Sequence, residues 1–370
     1  MPPAVTAPNL LLAALGQLLA VATIARVCRL RARRVALAVL IADVIIALLL
    51  LALDAVLGPV NRGSHARRVV VIGMHLSLAA AIPWAVWSTA LTRVAGRRMI
   101  SAAALLSAFT ATGLILPGLW PSSSLRPAEV SRVSVPVKGL PAALDGMRIV
   151  VVGDMHLGDR ITLPRARARL LPLRDLQADV VIFLGDLSGG NRSLIAPGAE
   201  LLDELAPRSR RFFVVGNHEQ WIDEELARDE MRRHGFTPLV DGNQRLRIRG
   251  ADLWVAGVEF TYAWEDHLPR ALRGVPASAP LVLFSHTPDV VGNPLAQRAD
   301  LIVSGHTHGG QVVLPFLGPL ACSSSYGPKY ASGLFAVGRS WLFVTRGVGD
   351  SLTPRLYCPP EIAVLELHPG

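Results

Sequence analysis

The chain has 370 residues, is 51% apolar, carries a formal net charge of +9 and contains three cysteines. That length allows more than one domain, and three cysteines without a CxxC pair exclude a disulfide scaffold. Residues 1–125 hold 11 Arg against 2 Asp, whereas residues 126–370 hold 26 Lys and Arg against 26 Asp and Glu; a nucleic-acid-binding domain would carry its surplus on the folded part, so no nucleic-acid partner is indicated.

Residues 9–25, 35–58, 69–92 and 99–120 are apolar runs, each near the ~20 residues that cross a bilayer as a helix. Four transmembrane helices are expected there. The first run lacks a preceding basic segment and a small-residue cleavage site, so it reads as retained and not as a signal peptide. Trp120-Pro121 reads as an interfacial end to the fourth. Arg26, Arg29, Arg31, Arg33 and Arg34 follow the first run, Arg62, Arg67 and Arg68 the second, and Arg93, Arg97 and Arg98 the third. The positive-inside rule then puts both termini outside the cytoplasmic membrane, with the C-terminal domain extracytoplasmic. Asp43, Asp54 and His75 lie in or near the second and third runs. They read as protonated or bonded to a neighbouring helix, because no repeats or broken helices accompany them. Cys28 reads as a packing residue.

Residues 121–129 form a linker rich in Ser and Pro, and the second domain is expected over 130–370. Val130 to Val137 alternates apolar and polar residues as a first strand would. Arg148 to Val152, Asp179 to Leu184, Arg211 to Val215, Leu253 to Val258, Leu281 to Phe284 and Leu301 to Val303 are short apolar runs, the pattern of buried strands. Helices are expected over Pro164 to Leu176, Ala199 to Leu205 and Ile222 to His234. Leu334 to Val337 and Trp341 to Thr345 flank Gly338-Arg339 as a hairpin, and Glu361 to Leu367 closes the chain. Alternating strands and helices followed by further strands predict a two-sheet α/β domain.

Five of the apolar runs end in residues that bind metals. They are Gly153-Asp154-Met155-His156, Gly185-Asp186, Gly216-Asn217-His218-Glu219, Ser285-His286 and Ser304-Gly305-His306-Thr307-His308. One Asp or His after a strand is usually a turn residue or a cap. Five successive cases, using five of the ten histidines, point to one shared site. His306 and His308, spaced by two, would share a face if the segment were extended.

The order D-x-H, G-D, G-N-H-E, H, G-H-x-H resembles the calcineurin-like metallophosphoesterase family. Gly309-Gly310-Gln311, Lys329 to Leu334, Arg346 to Gly349 and Pro359 to Ile362 look like its membrane-associated bacterial branch. The resemblance covers about residues 130–368 and not the four apolar runs. It implies an α/β/β/α sandwich and a pair of divalent ions. Asp154, His156 and His308 would hold one ion, Asn217, His286 and His306 the other, and Asp186 would bridge them. Imidazole and oxygen ligands together suit Mn, Fe, Zn or Co. Two carboxylates against two divalent cations leave a positive surplus that attracts hydroxide and phosphate. The implied reaction is hydrolysis of a phosphomonoester or phosphodiester by a hydroxide bridging the metals. His218 would serve the leaving oxygen, oriented by a carboxylate such as Asp154. Arg346 is a candidate for contacting substrate phosphate.

The expected protein is thus a membrane-anchored phosphoesterase acting on a phosphate ester, for example a lipid or envelope precursor. A pyrophosphatase acting on a nucleotide-linked lipid, and a metal-binding membrane sensor without turnover, are the alternatives. An extracytoplasmic location would also favour a disulfide between Cys322 and Cys358.

Overall fold

The computed structural model describes residues 127–261, 264–314, 318–351 and 355–370. The four apolar runs, with Cys28, Asp43, Asp54 and His75, lie outside these residues. The chain divides after Leu116, and the described residues all belong to the unit Pro117–Gly370. Among them, no helix is long and apolar enough to cross a membrane.

The strands in chain order are β1 (Glu129–Val137), β2 (Met147–Val152), β3 (Val180–Phe183), β4 (Arg210–Phe213), β5 (Thr237–Pro238), β6 (Gly242–Ile248), β7 (Ala251–Val258), β8 (Leu281–Ser285), β9 (Leu301–Ser304), β10 (Val313–Leu314), β11 (Gly318–Pro319), β12 (Gly333–Val337), β13 (Ser340–Val344) and β14 (Glu361–Pro369). One sheet has the order β1-β14-β2-β3-β4-β5, the other β12-β13-β9-β8-β7-β6, and β10-β11 form a small separate pair. In the first sheet β2 to β5 run parallel. In the second, β7, β8, β9 and β13 run parallel. The expected hairpin is β12–β13, with Val337 opposite Ser340 across Gly338-Arg339.

Strand alternation explains why these runs are apolar throughout. Val150, Val152, Val181 and Phe183 face a layer built from the helices Leu163–Leu170 and Ile195–Leu205, through Ala166, Leu170, Leu201 and Leu202. The residues between them, Ile149, Val151, Val180 and Ile182, face the second sheet and pack with Val255, Val282, Phe284, Leu301 and Val303. Ala256, Leu283 and Ile302 on the far side of that sheet meet Trp264 and Leu268 of the helix Trp264–Ala271. A strand buried on both faces has no polar side to show. The result is a two-sheet α/β sandwich with helices on both outer faces.

Three local features differ from expectation. The helix expected over Ile222 to His234 is present as Glu224–Arg233, but Ile222 ends a separate helix, Asn217–Ile222, with Asp223 between the two. Asp223 has φ −172°, and its carboxylate accepts from the Leu226 N–H at 3.0 Å. A short polar side chain that caps the second helix thus ends the first. The strand β6 and the helix Trp264–Ala271 have no counterpart in the apolar runs; β6 is largely exposed, with only Leu246 and Ile248 buried along it. Cys322 and Cys358 are free thiols, not a disulfide. The Cys322 thiol donates to the Gly327 carbonyl at 2.7 Å, and Cys358 donates to the His308 carbonyl at 3.3 Å.

Candidate metal centre

Parallel strands carry their carboxyl ends to one edge of the sandwich, where β2, β3, β4, β8 and β9 each run into one of the five motifs. Asp154, His156, Asp186, Asn217, His286 and His308 are buried there, and His306 nearly so. Asp154, His156, Asp186, His306 and His308 all have positive φ, between 51° and 68°. Non-glycine residues seldom hold this conformation, and it gathers at functional sites. His306 and His308 therefore do not share the face of an extended segment. The turn between them sends His306 Nδ1 to 3.0 Å from His286 Nε2, and His308 Nε2 to 2.9 Å from His156 Nε2.

The donor atoms fall into overlapping groups. Asp154, His156 and His308 offer ligand atoms within 4.8 Å of one another, and so do Asp186, His286 and His306. Asn217 Oδ1 lies 3.0 Å from His286 Nε2 and joins the second group. Asp186 stands between the groups, with Oδ2 at 3.4 Å from both His156 Nε2 and His286 Nε2. His286 donates through Nδ1 to the Leu184 carbonyl at 2.6 Å, which leaves Nε2 facing the site.

The electrostatics test whether this set suits cations. Burial would raise Asp186, but His286, His218 and His156 hold its carboxyl well below the usual range. Burial would lower His286, but the adjacent Asp186 pushes it up to about 9. Its partner His306 is driven down to about 3 by burial and by His286. His156 is likewise raised against burial by Asp159 and Asp186, while burial and His156 hold His308 far below its ordinary value. In each imidazole pair the two rings shift in opposite directions, as expected of two nitrogens about 3 Å apart that compete for one proton. Two such pairs around a carboxylate form a set of N and O donors that fits divalent cations.

Glu219 braces the centre, a role the sequence reading did not assign. Its carboxylate accepts the backbone N–H groups of Asp186 at 2.8 Å, Leu187 at 2.7 Å and Gly216 at 2.8 Å. Burial and the neighbouring Asp186 push it up to about 7, while those three donors favour the charged form. One side chain thereby ties the β3 turn to the β4 turn. The turns are so close that a Cβ on Gly185, whose φ is +90°, would sit 2.5 Å from Gly216 N. Gly185→Ala is expected to cost about 2 kcal/mol from backbone strain and this contact, read as a lowered thermal midpoint.

His218 sits at the rim. Its Nδ1 lies 2.8 Å from the Gly189 carbonyl, so that carbonyl, not Asp154, orients the ring. The Asp154 carboxylate is already taken, accepting from the His306 N–H at 3.0 and 3.1 Å. The His218 N–H donates to Asp186 Oδ1 at 2.9 Å. Arg346 is also differently placed: its guanidinium bonds Glu361 and Glu129, each at 3.1 Å. The Glu partners lie opposite each other at the starts of β14 and β1, and they give Arg346 a bracing role.

Behind the His308 loop, Arg355 is fully buried. It donates to the carbonyls of Arg346 at 2.6 Å, Gly347 at 3.1 Å, Gly349 at 2.6 Å and His308 at 3.3 Å. Asp350 accepts from Arg355 at 3.1 Å and from Arg169 at 2.9 and 3.0 Å, and pairs with Arg165 at 3.2 Å.

A buried cluster of His, Asp and Asn that could hold metal ions thus lies at the strand ends of a two-sheet sandwich. Residues 147–310 match the family model for calcineurin-like phosphoesterases. A transmembrane protein with metallophosphoesterase domain from Danio rerio is 29% identical over 241 residues, covering 61% of this chain and 54% of that protein. The match thus spans about half of that relative. A phosphodiesterase of Escherichia coli (strain K12) is 28% identical over 233 residues, covering 60% of this chain and 82% of that protein. A solved structure from Thermus thermophilus aligns with a TM-score of 0.36 and 17% identity, over 55% of this chain and 89% of that one.

Proposed function

We propose that this chain is a membrane-anchored phosphoesterase that uses two divalent ions. The observation that carries the reading is the sharing of Asp186 between two buried donor groups. Asp154, His156 and His308 would hold one ion, Asn217, His286 and His306 the other, and Asp186 both. Bound there, divalent ions supply Lewis-acid charge for a phosphoryl group and lower the pKa of water towards ~7. Glu219 and the left-handed turns hold the donor atoms before substrate arrives, so little reorganisation is left for the reaction. His218, oriented through Nδ1, presents Nε2 to the leaving oxygen and delivers a proton there. An arriving phosphate provides the countercharge that an imidazolium needs where burial otherwise lowers His218. The E. coli relative's name, a phosphodiesterase, favours ester hydrolysis.

Membrane anchoring rests on the four apolar runs and the Arg-rich loops between them, and on the zebrafish relative's name. A reporter fused after Gly370 is expected to report an extracytoplasmic C-terminus; a cytoplasmic signal would refute that topology.

The activity test is hydrolysis of phosphate esters by the full chain with added Mn²⁺. His218→Asn is expected to lower kcat for an alkyl ester by about 10²–10⁴-fold, and to lower it far less for p-nitrophenyl phosphate, whose leaving oxygen needs no proton. Equal losses for both would remove His218 from that role.

A further inference from the structure

Trp221 is the most exposed of the large apolar side chains among the described residues, at 56%. Single exposed apolar residues are ordinary; the position of this one is not. Its ring lies 4.9 Å from the His218 ring, tilted by 45°. His218 in turn meets His156 edge-on at 4.5 Å, and His156 meets His308 at 4.7 Å. The rings therefore form a row. It begins at buried His308 and His156, passes through His218 at the rim and ends at Trp221 in solvent. Asn217, His218 and Trp221 also lie on one six-residue helix, Asn217–Ile222. His218 and Trp221 are three residues apart, on the same side of it.

We propose that Trp221 is a specificity-determining residue whose indole face stacks on a planar ring in the leaving group. The proposal rests on the phosphoesterase reading above. With the phosphoryl group at the His156 and Asp186 end and the leaving oxygen at His218, the rest of the leaving group continues along the row. The surface it meets there is Trp221. A flat indole favours a flat partner, and stacking of this kind tolerates different rings because each presents a π-face. The site therefore selects phosphate esters of nucleosides or aryl-bearing alcohols over esters of small alcohols.

Two matched pairs of substrates test this with the full chain and Mn²⁺. Adenosine 5′-phosphate and ribose 5-phosphate differ in the base, and 2-naphthylmethyl phosphate and ethyl phosphate differ in the aryl ring. Within each pair the leaving group is a primary alkoxide. The wild type is expected to prefer the ring-bearing ester in kcat/KM, mainly through KM. Trp221→Ala is expected to reduce that preference about tenfold, and Trp221→Phe to keep most of it. A drop confined to the first pair identifies a nucleoside, and one confined to the second an aryl alcohol. Preferences within twofold of wild type in Trp221→Ala for both pairs overturn the proposal. If the wild type turns over none of the four esters, phosphomonoester hydrolysis fails by itself. Calorimetric binding of 2-naphthylmethylphosphonate then decides the stacking: a tenfold weaker Kd in Trp221→Ala upholds it, and an equal Kd overturns it.

Discussion

Asp186→Asn is expected to lower kcat/KM by about 10³-fold or more while leaving the fold intact. The substitution keeps the shape of the side chain and can keep the oxygen that accepts from the His218 N–H at 2.9 Å. It removes the carboxylate that stands 3.4 Å from both His156 and His286. No other described carboxylate lies between the two donor groups. Asp154, the other buried acid among the expected ligands, belongs to the first group and is raised to about 6 by burial, against the pull of His286. The variant is therefore expected to lose bound metal along with activity. Activity, elemental analysis and thermal unfolding measured together separate this from misfolding.

Asp350→Ala is expected to have the largest effect on stability, about 3–5 kcal/mol. Asp350 is 1% exposed and accepts from or pairs with Arg165, Arg169 and Arg355, which are themselves buried. Removing it leaves those guanidinium groups in a low-dielectric interior without their carboxylate. Its pKa gives the sign of the acid dependence. Burial alone would raise Asp350, but Arg169, Arg355 and Arg165 hold it below the usual carboxylate range. A depressed folded-state value means the stabilisation is present above the unfolded carboxylate pKa of ~3.9 and is lost as pH falls through the folded value. The gap in thermal midpoint between wild type and Asp350→Ala is therefore expected to be widest near neutrality and to narrow in strong acid. A constant gap across that range would show that Asp350 acts by packing alone.

The five strand-end motifs were legible because buried parallel strands are apolar throughout and each stops abruptly at its candidate metal ligand. Gly185 and Gly216 punctuate the same places, since neither position has room for a Cβ. The sandwich followed from the order of strands and helices. What escaped the sequence was decided by partners far away in the chain. Arg346 has the type and position of a phosphate ligand, yet Glu129, 217 residues away, and Glu361 take its guanidinium. Asp154 is near enough in type to orient His218, but a backbone carbonyl does so, and carbonyls leave no trace in residue identity. Glu219 was visible within its motif, but its task is to collect three N–H groups from two turns. The Asp350 cluster joins residues up to 181 positions apart and has no local pattern. Asp223 reads as an acidic first-turn residue until its extended backbone shows that it caps one helix and ends another.

The central claim is that two donor groups share Asp186 to hold a pair of divalent ions. Elemental analysis of the full chain equilibrated with Mn²⁺ and then desalted tests it most directly. The account predicts two ions per chain in the wild type, and less than one in Asp186→Asn. That variant is expected still to unfold in one cooperative transition, but at a lower midpoint because the bound ions are lost. Two ions retained by Asp186→Asn, or no specific metal in the wild type, would contradict it.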